Sequence, residues 1–482
     1  MRYDEPELPL LRFVDRPLVR YHGVELICEV QLSAGTDLYL ADHLLDGNQL
    51  FPAVFGMEAA AQVAAAVTGQ TNAPVVSDAE FLRPIVVPVQ GSIRIRVAAV
   101  VTGPDTVEVA LRSEETGFDA DHFRARLSFA PTTPAAGPPD QIEPGLPAVP
   151  LDPATDLYGP VLFQGQRFQR LRTYHRAAAR DVDATVAADA STDWFAAYLP
   201  TTLLLGDPGV RDAMMHGNQV CVPDATLLPK GIERIVPAGA AMYDADSLRF
   251  SATERFRDGD TYVYDIALRD AAGIVVERWE GLQLSAVRKQ GSSGPWHPVL
   301  LGSYLERTVH DVLGAGIAVA VEPAPTGPTR PTTTVAVGRA LGEPARVLYT
   351  EDGKPRVTGK RTVAVSSAAG VILCASATDQ VGCAVAPVAS QTVQGWADRL
   401  GSYGDVAHLV AHAIGEPLDQ AATRVQAALE CLPDADDWRL ITAEPTGWVV
   451  LGSGDRRVAT IVTRLTGAQG KIAVAISSGG LP

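Results

Sequence analysis

Two titratable residues, far apart in the sequence, each stand beside the start of a predicted helix. His43 comes just before a glycine-containing turn and Pro52, after which an alanine-rich run begins. An imidazole held at such a helix start could act as a general base, because its pKa lies near neutral pH and responds to its surroundings. A histidine that merely caps a loop is the alternative, so His43 needs an acidic partner before chemistry can be assigned to it.

The second candidate is Asp212, which lies near the start of another predicted helix and is followed one turn later by His216. This spacing brings both side chains to one helical face, where His216 can contact Asp212. Burial in an apolar tunnel raises the pKa of a carboxylic acid, which can then hold a proton near neutral pH. Two such helices could place His43 and Asp212 across one cleft, where the pair could remove a proton from carbon and deliver one to a departing hydroxyl.

Both candidates lie in regions that repeat one order of elements. The first region is predicted to contain a helix from Pro52 to Gly69 and strands at residues 24–32, 84–89, 92–101, 106–114 and 121–129. The second region is predicted to contain a helix at 208–222 and strands at 181–188, 247–259, 261–270 and 273–287. The repeat indicates a duplicated unit, in which a sheet wraps around a helix.

Two breaks in composition divide the chain. Residues 131–153 are dense in proline and glycine and are predicted to form a linker. A short flexible stretch near residue 290 precedes a third region, whose short apolar strands and helix at 421–432 are typical of an α/β domain. The predicted organisation is 1–130, a linker at 131–153, 154–289, and 290–482.

The composition limits the classes of partner and the compartment. The chain has 482 residues, a formal net charge of −16 and a pI of about 5.0, which argue against binding to nucleic acid or a membrane surface. Its five cysteines form no CxxC pair, which is typical of a reducing compartment. The N-terminus lacks the pattern of a signal peptide, and we find no run long enough to span a membrane. We therefore expect a cytoplasmic protein.

The spacing around both candidates resembles a known enzyme family. His43, Gly47 and Pro52 fit the HxxxGxxxxP motif of polyketide synthase dehydratase domains. Asp212 and His216 fit the second motif of these domains, DxxxQ/H. Longer blocks around both motifs look specifically like the dehydratase of iterative enediyne-type polyketide synthases, and the likeness covers roughly residues 10–288.

A third motif of the same family lies between the two candidates. Tyr158 and Gly159 resemble its YG element, and residues 162–171 look like the segment that follows it. The resemblance implies an α+β protein with a double hotdog fold, in which two antiparallel sheets each wrap around a central helix.

The resemblance also implies an activity. His43 would act as the base at the α-carbon, and Asp212, held by His216, would protonate the departing β-hydroxyl. The implied substrate is a β-hydroxyacyl chain on the phosphopantetheine arm of an acyl carrier protein, and the product is the enoyl thioester. Other polyketide synthase domains and a second copy of the chain are the further partners implied, with no cofactor and no metal.

The region from 290 to 482 resembles the phosphopantetheinyl transferase-like domain at the C-terminus of those synthases. Its chemistry does not carry over, because a hard cation such as Mg²⁺ needs oxygen ligands. Ser367 stands where those transferases have a histidine, and Gly382, Ala384 and Ala386 stand where a GxDxE motif supplies the ligands. Glu430 fits a later acidic position, but the lysine expected after it is absent. We predict a degenerate transferase fold kept for structure or docking.

Two other functions remain open at this point. Double-bond isomerisation or cyclisation could use the same His43 and Asp212, since fold and residue pair do not fix the product. A non-catalytic module that docks the carrier protein, or holds an assembly together, is the alternative from another class. The alternating Arg94, Arg96, Arg124 and Arg126 could receive an acidic carrier protein, although such alternation is typical of the solvated face of a strand.

Overall fold

The computed structural model describes residues 6–132, 145–237, 248–351 and 353–479. Within these ranges, none of the helices combines the length and the apolar character needed to cross a membrane. The first group of elements comprises β1 (Arg16–Tyr21), β2 (Glu25–Leu32), β3 (Leu44–Leu45), β4 (Asn48–Leu50), α1 (Ala53–Thr68), β5 (Val75–Phe81), β6 (Val86–Val87), β7 (Ile93–Gly103), β8 (Thr106–Ser113) and β9 (Asp121–Ser128).

The helix α1 forms the centre of this first group. Its residues are mostly small and apolar, and all of them from Val54 to Val67 are buried. Glu58 and Gln62 are the polar residues of this buried stretch, and both form hydrogen bonds with a segment that is distant in the sequence. The backbone N–H groups of Leu204 and Leu205 donate to the carboxylate of Glu58 at 2.7 and 2.9 Å. These bonds attach α1 to a segment of the second group, so both groups hold the helix in place.

The second group repeats the first. It comprises β10 (Leu171–Ala177), β11 (Asp181–Val186), α2 (Pro208–His216), β12 (Ala225–Val236), β13 (Leu248–Asp258), β14 (Thr261–Arg269) and β15 (Val275–Lys289). The predicted helix at 208–222 is shorter than expected, because its last part is a 3₁₀ helix over Gly217–Cys221.

Strand pairing confirms the predicted repeat. From the boundary outward, the order is β5-β9-β8-β7-β2-β1 in the first group and β12-β15-β14-β13-β11-β10 in the second. The strand that follows each helix is therefore next to the boundary in both halves. The two separate sheets that we expected are instead one antiparallel sheet of twelve strands, because β5 pairs with β12, with Ala79 opposite Ile232.

The sequence patterns missed both strands at this boundary for a physical reason. β5 contains Asp78 with a φ of 50°, an irregularity that interrupts its alternation. β12 contains Pro229 and Gly231, both of which are usual signs against a strand interior. The strand predicted at 84–89 shrinks to two residues, since Pro84 and Pro88 have no N–H to donate.

The described end of the predicted linker is packed and not loose. Val149 and Leu151 are buried, and the Val149 N–H donates to the Tyr174 carbonyl at 2.7 Å. Residues 133–144 of the linker lie outside the described ranges. A Pro-rich composition therefore does not prevent residues 145–153 from forming part of the second group's surface.

The third group comprises α3 (Pro298–Leu313), β16 (Ala318–Pro323), α4 (Arg330–Leu341), β17 (Val347–Tyr349), β18 (Pro355–Val357), β19 (Thr362–Ala368), β20 (Val371–Ala377), β21 (Val381–Pro387), α5 (Val393–Leu400), α6 (Gly404–Ile414), α7 (Leu418–Cys431), β22 (Arg439–Ala443), β23 (Val449–Ser453), β24 (Arg456–Thr463) and β25 (Ile472–Ser478). Its named strands all pair antiparallel. The α/β class expected for this region is therefore wrong, and α+β describes it.

A buried arginine connects the third group to the second. Arg307 of α3 donates its Nε–H to the Cys221 carbonyl at 2.5 Å and pairs with Glu254. Its guanidinium also bonds the Ala179 carbonyl. Because these partners lie on three different segments of the second group, α3 is fixed against that group by buried polar contacts as well as by apolar packing.

We expect the buried Arg211–Glu277 pair to be essential for the stability of the second group. Both side chains are at most 2% exposed and form a bidentate contact at 3.0 and 2.8 Å. Glu277→Gln removes the charge that pairs with this buried guanidinium, so urea unfolding of the full chain should show a loss of about 3–5 kcal/mol. The matched control is Glu80→Gln, which breaks the exposed pair with Arg124 and should cost less than about 1 kcal/mol. Equal losses in the two variants would contradict this prediction.

Candidate active site

His43 is held by the local backbone on both sides. It ends a 3₁₀ helix over Leu38–Asp42, and its carbonyl accepts the Leu50 N–H at 3.0 Å. Between them, β3 and β4 form a hairpin whose turn residues, Asp46 and Gly47, have φ values of 52° and 79°. Such a two-residue turn needs positive φ at both positions, which explains the glycine of the first motif.

The tautomer of His43 follows from its hydrogen bond. Nδ1 lies 3.0 Å from the Leu50 carbonyl oxygen, which can only accept, so Nδ1 carries the hydrogen. In the neutral ring Nε2 is therefore the unprotonated nitrogen. The rings of Phe163 and Phe168 pack edge-on at centroid distances of 5.0 and 5.5 Å. Burial among these groups lowers the pKa of His43 from its usual 6.5, which keeps the imidazole neutral.

Asp212 lies on α2, whose start is fixed by capping. The Asp207 side chain accepts the Gly209 N–H at 2.7 Å, and Pro208 occupies the first helical position. Asp212 is 4% exposed, and its Oδ2 lies 2.9 Å from Nδ1 of His216, one turn along the helix. The predicted contact between these two residues is present in the structure.

A chain of hydrogen bonds continues from His216 to Tyr158. The Tyr158 hydroxyl lies 3.2 Å from Nε2 of His216 and accepts the Leu171 N–H at 3.2 Å. Burial raises the pKa of Tyr158, so its hydroxyl stays protonated and can donate to Nε2. His216 then carries its own hydrogen on Nδ1 and donates it to Asp212. Next to Tyr158, Gly159 has a φ of 95° and closes a turn onto Leu162 at 2.8 Å.

The segment after the YG element links the two candidates. Tyr158 bonds to His216, while Gln164 forms an isolated backbone bridge with His43. A Cβ at Gly165 would lie 2.3 Å from the carboxylate of Asp42, so only glycine allows this close approach. Arg167 then pairs with Asp42. The sequence singled out this segment by resemblance but assigned no role to its residues, since their contacts are distant along the chain.

His43 and Asp212 influence each other through charge. The negative charge of Asp212 raises the pKa of His43 and partly opposes the effect of burial. The described residues show no direct hydrogen bond between the two side chains. The structure therefore joins Asp212, His216 and Tyr158 in one hydrogen-bonded chain and sets His43 close enough for Asp212 to act on it electrostatically.

A cleft of about 270 Å³ opens beside His43. Both halves of the sheet and the first turn of α1 form its wall, which includes Pro52, Gly56, Leu111, His122, Phe123, Leu228, Pro229 and Ser285. Its outer part includes the exposed cations Arg83 and Lys230. Asp212 is not part of the wall of this cleft. We expected both His43 and Asp212 to line one cleft. In the structure His43 lines this cleft and Asp212 does not.

Comparison with known proteins identifies a family for the first two groups. Residues 13–114 match the family model described as polyketide synthase dehydratase domain, and residues 134–294 match the one described as polyketide synthase dehydratase N-terminal domain. A comparison with curated protein sequences found no match.

Dehydratase domains are among the solved structures that are similar to the chain. The dehydratase domain of a mycocerosic acid synthase-like polyketide synthase shares 20% identity, with a TM-score of 0.47 over 59% of this chain and 99% of that one. The domain from the CurK module of curacin polyketide synthase shares 18% identity, with a TM-score of 0.46 over 58% and 99%. The two family models identify the family. The matched segments make this part of the chain a polyketide synthase dehydratase domain.

Proposed function

We propose that His43 and Asp212 are the base and the acid of this dehydratase. The observation that carries the proposal is the complementary state of the two residues. His43 is neutral with Nε2 unprotonated, while Asp212 is anchored through one carboxylate oxygen by His216. Dehydration requires one group that accepts a proton and another that donates one at a fixed position.

In the proposed step, Nε2 of His43 takes the proton from the α-carbon of a β-hydroxyacyl thioester. The electrons of that C–H bond form the α,β double bond, and the C–O bond at the β-carbon breaks. A proton carried by Asp212 in the reactive form passes to the departing hydroxyl, which leaves as water. Return of the proton from His43 to Asp212 restores the starting state. The two residues and the substrate account for every proton and electron pair, so the proposed elimination needs no cofactor.

His216 and Tyr158 act in this proposal as positioning residues. The Nδ1–H of His216 holds Oδ2 of Asp212, which leaves Oδ1 for the substrate. The Tyr158 hydroxyl in turn fixes the orientation of the His216 ring. Gly47 and Pro52 support His43 through the hairpin turn and the start of α1, and Gly159 supports Tyr158 through its turn.

The proposed substrate is an acyl chain on the phosphopantetheine arm of an acyl carrier protein. Arg83 and Lys230 at the outer part of the cleft are exposed, and neither forms an ion pair within the described ranges. They therefore suit an anionic phosphate and an acidic carrier. The strand arginines considered above are less suited, because Arg94, Arg96, Arg124 and Arg126 each pair with an acidic side chain within 3.0 Å.

We further propose that the chain works in an enediyne-type synthase, pairs with a second copy and is cytoplasmic. The third group is proposed to be a degenerate phosphopantetheinyl transferase-like domain. Two observations support its inactivity. Ala384 and Ala386 are buried on β21 and offer no side-chain oxygen, while the exposed Glu430 accepts a bond from Gln426 at 2.7 Å.

Substitution of either proposed catalytic residue should abolish dehydration. His43→Ala removes the base, and Asp212→Asn keeps the shape of the side chain but cannot supply an acidic proton. Each variant should lower kcat by at least about 100-fold on a β-hydroxyacyl pantetheine thioester. The measurement is conversion to the enoyl product, identified by mass. His175→Ala is the matched control, since His175 contacts Thr185 on a neighbouring strand, away from the site.

Full activity in either folded variant would rule out its assignment. The mass of the product also separates the alternatives, because isomerisation or cyclisation alone loses no water. A folded wild-type chain that converts no β-hydroxyacyl substrate would instead support a docking role.

The acid limb of the pH profile should lie below the usual histidine range. Catalysis needs neutral His43, and burial lowers the pKa of this imidazole below 6.5. The ring therefore becomes protonated only at lower pH, and kcat/KM should fall on acidification with a midpoint below pH 6.5. The profile is measured with the full chain and a pantetheine-bound substrate, with stability checked at each pH. A midpoint above 6.5 would contradict a buried neutral base.

We expect no transfer of phosphopantetheine by the third group. The full chain, incubated with coenzyme A, Mg²⁺ and an apo carrier protein, should leave the mass of the carrier unchanged, because two of the positions that supply metal ligands carry alanine. An active transferase with the same carrier serves as the positive control. A mass increase of one phosphopantetheine group would overturn the proposal.

A further inference from the structure

His122 is a second buried histidine on the wall of the cleft beside His43. It lies on β9 and is 3% exposed. Its carbonyl accepts the Leu82 N–H at 2.9 Å, and Nε2 of its ring lies 2.8 Å from the Ser113 hydroxyl. The main chain and the ring are thus both fixed, so His122 is a rigid part of the wall of the cleft.

The other ring nitrogen of His122 has no protein partner. Nδ1 is buried, and the described ranges provide no group that forms a hydrogen bond with it. A neutral imidazole has one donor and one acceptor nitrogen, and the Ser113 hydroxyl can complement either one at Nε2. Nδ1 is therefore left as a donor or as an acceptor, and a buried polar atom without a partner is unfavourable. A bound molecule that supplies an oxygen would remove this cost.

Most of the residues that line the cleft with His122 are apolar. Leu111 on β8 and Phe123 on β9 line the same cleft, and so does Gly56 on α1. A Cβ added at Gly56 would come within 4.0 Å of the Phe123 ring. This helix position, which has no side chain, therefore lies next to the strand that carries His122. An acyl chain in the cleft would contact hydrocarbon at these residues and meet a polar atom at His122.

We propose that His122 is a specificity-determining residue that binds a hydroxyl or keto oxygen on the acyl chain, beyond the β-carbon. A hydroxyl suits both tautomers of His122, because it can donate to Nδ1 or accept from it, whereas a keto oxygen suits only a protonated Nδ1. A chain that is fully reduced beyond the β-carbon would leave Nδ1 without a partner. This inference rests on the proposed function in assigning the cleft to the acyl chain.

Binding of unreactive analogues to the full chain tests this role. The probes are acyl-pantetheine amides without a β-hydroxyl, one fully saturated and the others carrying a hydroxyl at successive positions along the chain. Calorimetric titration should give, at the best position, a Kd about 10-fold lower than that of the saturated probe. In His122→Phe this advantage should fall to within about twofold, while the saturated probe binds as well as before.

The controls keep the test independent of folding and of the proposed function. His122→Leu is a second variant without ring nitrogens, and His175→Phe is the matched control, because His175 also pairs with a strand hydroxyl at 2.8 Å. If the saturated probe binds and no hydroxyl improves its Kd, or if both His122 variants keep the advantage, the role of His122 is wrong and the cleft assignment stands. If no probe binds the wild-type chain, the cleft assignment fails and the role of His122 fails with it.

Discussion

The pairing of β5 with β12 determines the geometry of the whole site. Each of these strands follows the helix of its own half, so a single antiparallel contact brings α1 and α2 to a common boundary. Without it, the halves that carry His43 and Asp212 would lose their main-chain pairing and would depend on loop contacts, such as those of Gly165 and Leu204. Main-chain hydrogen bonds across the boundary leave little freedom for one half to move relative to the other. The pairing of these two strands therefore limits movement within the site.

Burial affects the two candidate residues of the site differently. His43 is desolvated by aromatic rings and loses basicity, yet it keeps one defined tautomer through the Leu50 carbonyl. Asp212 is equally buried but is supported by His216, Tyr158 and the Leu171 N–H in sequence. In the described structure the His43 ring bonds to the Leu50 carbonyl, whereas Asp212 is the end of a longer chain of hydrogen bonds. That asymmetry fits the proposed roles of His43 as proton acceptor and Asp212 as proton donor.

Sequence reasoning reached the motif residues because their physical requirements are local. Gly47 follows from a hairpin turn, Pro52 from a helix start, and the contact of His216 with Asp212 from helical spacing. The continuous sheet was missed, since β5 and β12 carry irregularities that hide their periodicity. The roles of Gln164 and Gly165 were missed for another reason, because their partners are more than one hundred residues away in the chain. His122 gave no signal, as an orphaned nitrogen exists only once the fold surrounds it.

The buried contacts of Arg307 bear on where such proteins can be cut and recombined. Composition suggests a boundary near residue 290, but Arg307 lies beyond it and neutralises Glu254 in the preceding group. A fragment that stops at that boundary would expose apolar surface and leave a carboxylate and two carbonyl groups without their donor. Exchange of dehydratase modules between synthases is therefore best done with the third group attached, even if that group has lost all chemistry of its own. The third group is in this sense a structural part of the dehydratase domain beside it.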